Sequence, residues 1–89
     1  MSNNRTQLAA EIRDLLSDVL GISPDRTATF VDESELFGSL PELDSMAVAN
    51  LLAELEDRME IIVEADEVDG DMLGTFGSLV DFVASKRAP

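Results

Sequence analysis

Eighty-nine residues allow one domain with a single modest core, and 45% hydrophobic against only 4% aromatic residues point to an all-α fold packed with Leu, Val, Ile, Met and Ala. Six basic residues against 19 acidic ones leave a formal charge of −13, which argues against a nucleic-acid binder, because that needs a basic footprint to displace condensed counterions, and against anionic membrane surfaces. Cys and His are both absent, which removes disulfides, thiolate nucleophiles, imidazole bases and the usual zinc ligands together, and a self-contained hydrolase with them.

Met1 to Arg5 is not followed by an apolar run of signal-peptide type, and no stretch approaches the length that spans a bilayer. The expectation is a soluble, cytoplasmic monomer, a single domain over 1–89 with its core at about 5–87. From Leu8 the apolar residues Leu8, Ile12, Leu15, Leu16, Val19 and Leu20 form the stripe of a helix with one buried face. That helix is predicted over about 5–20, with Gly21 closing it. Residues 21–43 hold Pro24, Gly38 and Pro41 without a sustained period, and read as a long connection with a short helical turn near 33–37. Connections of this length inside a compact domain tend to be functional. Ile22, Phe30, Leu36, Phe37, Leu40 and Leu43 are its expected anchors into the core.

A second helix is predicted over about 45–59, with Val48, Leu51, Leu52, Leu55 and Met59 at helical spacing and Glu54, Glu56, Asp57 and Arg58 largely toward solvent. Beside Ser45, the residues Met46, Ala47, Ala49 and Ala53 leave a small apolar surface, which is either extra core or a docking face. Glu60 to Val63 is β-branched but has no partner strand, and reads as an apolar connector across the bundle. Asp66 to Met72 fits one or two helical turns. A closing helix is predicted over about 76–87, with Phe76, Leu79, Val80, Phe82 and Val83 inward, Thr75 as its cap, and Lys86 and Arg87 at the negative end of its dipole.

Two constellations invite a chemical reading. Around Gly70 the acids Glu64, Asp66, Glu67, Asp69 and Asp71 suggest a calcium loop, but the register puts Ala65 at the first ligand position and Phe76 where a bidentate Glu belongs. A solvated acidic face is the simpler account, and none of the acids is singled out as a catalytic pair. The second is Ser45, at the junction Leu40-Pro41-Glu42-Leu43-Asp44-Ser45-Met46. Taken alone it is a helix N-cap. Without His in the chain it is no triad nucleophile, yet a hydroxyl at a helix N-terminus suits a phosphate ester made by another enzyme.

Leu43-Asp44-Ser45-Met46, followed by a Leu-rich amphipathic helix ending in Glu56-Asp57-Arg58-Met59, resembles the Asp-Ser-Leu signature of acyl carrier proteins. Size, acidity, helix order and the lack of Cys and His agree over nearly the whole chain. The resemblance implies a four-helix acyl-carrier-like bundle with a long connection between its first two helices and a short third helix. It implies a non-catalytic carrier, whose Ser45 bears a 4′-phosphopantetheine arm installed from coenzyme A by a phosphopantetheinyl transferase, and whose acyl or aminoacyl cargo rides as a thioester on the arm's thiol. Asp44 would orient the magnesium and coenzyme A complex, with Met46 beside the arm. The helix led by Ser45 would dock partners through Met46, Ala47, Asn50, Glu54, Glu56 and Asp57. Leu51, Leu55, Met59, Ile62 and Val68 would line an acyl pocket. An acyl-loading ligase or acyltransferase with a basic docking patch is the implied partner.

Two departures refine the expectation. Met46 stands where the family usually has Leu, and Ala47 and Asn50 occupy early positions that are often acidic in fatty-acid carriers, so docking near the arm should be apolar and electrostatic only farther along. The run Leu36 to Met46 is similar to stand-alone carriers associated with exosortase and exopolysaccharide gene clusters. The competing function is a non-catalytic acidic helical adaptor or nucleic-acid mimic, for which the negative surface would be the whole function. Under either reading, self-repulsion opposes the compact state. The thermal midpoint should therefore rise when salt or divalent cations are added, and a flat or falling midpoint in a salt titration followed by circular dichroism would contradict this.

Overall fold

The computed structural model describes residues 3–87. Helix α1 covers Asn3–Leu20, α2 Pro24–Thr27, α3 Ser45–Met59 and α4 Phe76–Arg87, with a single 3-10 turn at Ala65–Glu67 between the last two. Helix α1 begins two residues ahead of the core expected at about 5–87, and Met1, Ser2, Ala88 and Pro89 lie outside the described residues.

Helix α1 is the hub. Its stripe of Leu8, Ala9, Ile12, Leu15 and Leu16 is buried, and it packs against α2, α3 and α4. Opposite it, α3 contributes Leu51, Leu55 and Met59, and α4 contributes Phe76, Leu79, Val80 and Val83. Phe82, expected inward, is only partly buried at the edge of this core. Gly21 ends α1 at φ 71° with its N–H on the Ser17 carbonyl at 3.0 Å, the left-handed closure that glycine adopts without a Cβ clash.

The long connection is ordered, but not as the sequence suggests. Its helix is α2, led by Ser23, whose hydroxyl accepts the Arg26 N–H, with Pro24 at the start where its missing donor is harmless. Of the helical turn expected near 33–37, residues 34–36 are instead extended and pair with the chain entering α4, in an antiparallel bridge between Glu35 and Thr75, with turns on either side at 32–33 and 37–39. Leu36 N–H donates to the Gly74 carbonyl at 3.0 Å, Phe37 N–H to Leu73 at 2.9 Å, Phe76 N–H to Ser34 at 2.7 Å and Gly77 N–H to Asp32 at 3.0 Å. These partners on the opposite segment take the Leu36 and Phe37 N–H groups that a helical turn would have used. An extended segment also alternates its faces, so Leu36 is fully buried while Phe37, expected as an anchor, is 50% exposed. Ile22, Phe30, Leu40 and Leu43 are buried as expected.

The same alternation splits the connector after α3, where Ile61 is buried, Ile62 is 71% exposed and Val63 lies between. No strand forms there, and the Glu56 carboxylate accepts the Val63 N–H at 2.9 Å. The helix expected across 66–72 shrinks to the 3-10 turn, opened by the Glu67 carboxylate accepting the Glu64 N–H at 2.9 Å. Thr75 caps α4 as expected, its hydroxyl accepting the Ser78 N–H at 3.1 Å while the Ser78 hydroxyl accepts the Thr75 N–H.

Each of the chain's six basic residues joins separate segments. Arg5 links α1 to Asp32 and Asp81. Arg13 donates to the Phe30 carbonyl and lies 4.9 Å above the Phe76 ring. Arg26 pairs with Glu42, Arg58 with Asp18 on α1, Lys86 with Glu67, and Arg87 with Glu11. The Lys86 ammonium and then the Glu64 N–H hold the Glu67 carboxyl below the usual glutamate range.

At the start of α4 the bridge brings two backbones unusually close. A Cβ on Gly77 would sit 2.9 Å from both the Asp32 carbonyl oxygen and its Cβ, and the contact is to backbone that cannot swing aside. Gly77→Ala should therefore lower stability by about 1–3 kcal/mol, read as an earlier urea midpoint; an unchanged midpoint would mean that the two segments separate freely.

Candidate functional site

The site is the junction that delivers the chain into α3. Leu40 and Leu43 are buried on either side of Pro41 and Glu42, with the Leu43 N–H on the Leu40 carbonyl at 3.0 Å. These two anchors bring the backbone to the surface at Asp44, which is extended at φ −95° and ψ −174°. The Asp44 carboxylate accepts the Ala47 N–H at 2.9 Å, and its carbonyl accepts the Val48 N–H at 2.8 Å. Asp44, then, is the N-cap. Ser45 is the first helical residue, and its side chain is exposed. The simple capping account of Ser45 is thereby replaced, since the neighbouring carboxylate already does that work and leaves the hydroxyl outside the cap. The leading N–H groups of a helix lack intrahelical acceptors and form its positive end, which favours an anion at this point.

Beyond Ser45 the outer face of α3 is uncharged for two turns. Met46 is 77% exposed; Ala49, Asn50 and Ala53 are exposed, and Ala47 is half-buried. The acids come later and not all are free: Glu54 pairs with Arg58 at 2.9 Å and Glu56 holds the Val63 N–H, while Asp57 is exposed. An open depression lies at the α1–α3 seam, lined by Asp18, Val19, Asn50, Ala53, Glu54 and Arg58.

Of the residues expected around an acyl chain, Leu51, Leu55 and Met59 lie together on the opposite, buried face of α3, and Val68 packs partly against that core. Ile62 does not join them, because the alternation of the connector turns it to solvent. Sequence reasoning passed over Arg26 and Glu42, joined at 2.7 Å beside the junction; the only signal was an acid shortly before the serine. The Glu42 backbone N–H and then Arg26 hold this carboxyl below the usual range. Among the described residues no group of three acids is disposed to hold a metal ion.

A family model described as a phosphopantetheine attachment site matches residues 10–83, from within α1 to within α4 and across the whole junction. The chain belongs to this family. It is a carrier protein of the acyl-carrier kind, with a phosphopantetheine attachment site, in a family whose members carry substrates rather than transform them. The structure of a holo acyl carrier protein from Nitrosomonas europaea, solved in solution by NMR, superimposes with a TM-score of 0.82 at 40% identity, covering 90% of this chain and 95% of that one. The all-α, four-helix carrier fold follows from that match, and membership of the family implies a phosphopantetheinyl transferase and acyl-handling enzymes as the general class of partner. No curated protein matches the sequence. Among the described residues of the carrier, no helix is long and apolar enough to cross a membrane.

The division of labour at the junction has a measurable consequence. Asp44→Ala should cost the carrier roughly 1 kcal/mol of stability through the lost cap, whereas Ser45→Ala, at an exposed position, should stay within about 0.5 kcal/mol of the wild type. Paired chemical denaturation curves check this, and equal losses from the two substitutions would return the capping role to Ser45.

Proposed function

We propose that Ser45 is the residue to which the phosphopantetheine arm is attached. The observation that carries this is the exposed Ser45 hydroxyl at the first position of α3, uncoupled from the cap by Asp44 and inside the stretch that matches the family. In the attachment step the Ser45 oxygen forms a phosphodiester with the pantetheine phosphate of coenzyme A, the adenosine bisphosphate half leaves, and the hydroxyl proton passes to a base of the transferase. The residues present fit such a group. A phosphodiester on Ser45 would stand in solvent at the positive end of α3, where its negative charge is favoured, and Asp44 lies beside it to help orient the magnesium and coenzyme A complex. The arm supplies the thiol that this chain lacks.

On this reading the outer face of α3 receives partners. Met46, Ala47 and Asn50 supply an uncharged contact next to the arm, and Glu54, Glu56 and Asp57 a negative one farther along, so that a loading ligase or acyltransferase would meet the first with an apolar surface and the second with a basic patch. Leu51, Leu55, Met59 and Val68 form the apolar interior into which an acyl chain would be drawn. The uncharged start of α3 and the run Leu36 to Met46 favour a specialised cytoplasmic carrier, acting as one domain, of the exosortase or exopolysaccharide-associated type.

Incubation of the purified chain with coenzyme A, magnesium and a broad-specificity transferase, read by intact mass, tests the assignment. One phosphopantetheinyl addition is expected on the wild type and none on Ser45→Ala. Addition to Ser45→Ala would move the site elsewhere, and no addition to either would favour the acidic adaptor. The group found on the protein from its native host, again by mass, tests the pathway.

A further inference from the structure

The residues that hold the junction in place include one pair that no carrier role has yet explained. Arg26 sits in α2, whose backbone is itself fixed by the Ser23 cap and by Pro24. From there Nη1 reaches across sixteen residues of chain to donate to Glu42 Oε2 at 2.7 Å. Glu42 lies between the buried anchors Leu40 and Leu43, immediately ahead of the Asp44 cap. Its second oxygen, Oε1, is shielded from solvent without a partner of hydrogen-bond geometry. The bond from Arg26 ties this carboxylate, and with it the turn, to α2.

We propose that Arg26, acting through Glu42, is a positioning residue for modification of Ser45: it holds the Pro41–Asp44 turn against α2, so that the hydroxyl meets the transferase in one orientation. This rests on Ser45 as the attachment residue. The pair is partly exposed, with side chains 45% and 31% accessible, so its share of global stability is small. Orientation of a reacting group is a separate matter, since a small displacement of the nucleophile slows transfer without unfolding anything. Only one guanidinium nitrogen donates to Glu42, so a lysine ammonium can take its place.

The test measures steady-state transfer from coenzyme A onto the full chain by one broad-specificity transferase in magnesium. Arg26→Ala and Glu42→Gln should each lower kcat/KM roughly threefold to tenfold. Arg26→Lys should recover most of the rate, and the double variant Arg26→Ala with Glu42→Gln should be no slower than Arg26→Ala. Arg87→Ala removes the same charge from a pair that joins α4 to α1, and should match the wild type. Arg26→Lys and Glu42→Gln preserve side-chain size, so the comparison survives even a poorly folded alanine variant. A wild-type rate for Arg26→Ala or for Glu42→Gln, an equal loss in Arg87→Ala, or no recovery with lysine would overturn the proposal while leaving Ser45 in its role. A wild type that gains no arm on Ser45 would overturn both.

Discussion

Four backbone hydrogen bonds between residues 32–37 and 73–77 hold the rest of the molecule in register. Without them the connection from α2 to α3 would be a long loop whose closure entropy opposes any defined path. With them, Leu36 is seated in the core, and the chain that follows has only a short distance to travel before Leu40 and Leu43 seat as well. The bridge demands close approach at Gly77, and Arg5 reinforces it from α1 through Asp32 and Asp81. A surface serine at the head of α3 is therefore held by contacts made well away from it.

Charge is organised by the same economy of parts. Six cations among 19 acids cannot neutralise the surface, and each is spent inside the fold on a contact between segments. Individually such partly exposed pairs contribute little. Together they connect α1, α2, α3, α4 and the acidic 3-10 turn, while most of the acids remain outside as an uncompensated field. That field attracts basic surfaces over distances of about a Debye length, about 8 Å at physiological salt. Near Ser45 it is interrupted, since the first two turns of α3 present Met46, Ala49, Asn50 and Ala53. Charged and uncharged surface are thus kept on different parts of one helix.

The long helices were legible because their apolar spacing follows the helical period, and α3 and α4 run close to the expected bounds. Glu60, left-handed at φ 57°, stops α3 without the glycine that usually announces such an end. The Ser23-Pro24 pair carried a readable start signal for α2, hidden by the lack of any apolar period in so short a helix. Phe37 and Ile62 were unreadable in a different sense. Both look like core by composition, and each faces solvent because extended backbone alternates its sides around a neighbour, Leu36 or Ile61, that claimed the interior.

The sequence by itself determined the all-α class, the buried faces of α1, α3 and α4, and the position of an Asp-Ser step at a helix start, because helical periodicity and capping chemistry are local and are written in neighbouring residues. Only the tertiary structure decided that Asp44 is the cap and Ser45 the exposed hydroxyl, that Glu54 and Glu56 are engaged while Asp57 is exposed, and that Arg26 reaches the turn before the serine. The last depends on a distant segment, since α2 must arrive beside the turn for Arg26 to meet Glu42; the others are contacts three to seven residues apart, each chosen from several local options by how the packed core fixes the backbone.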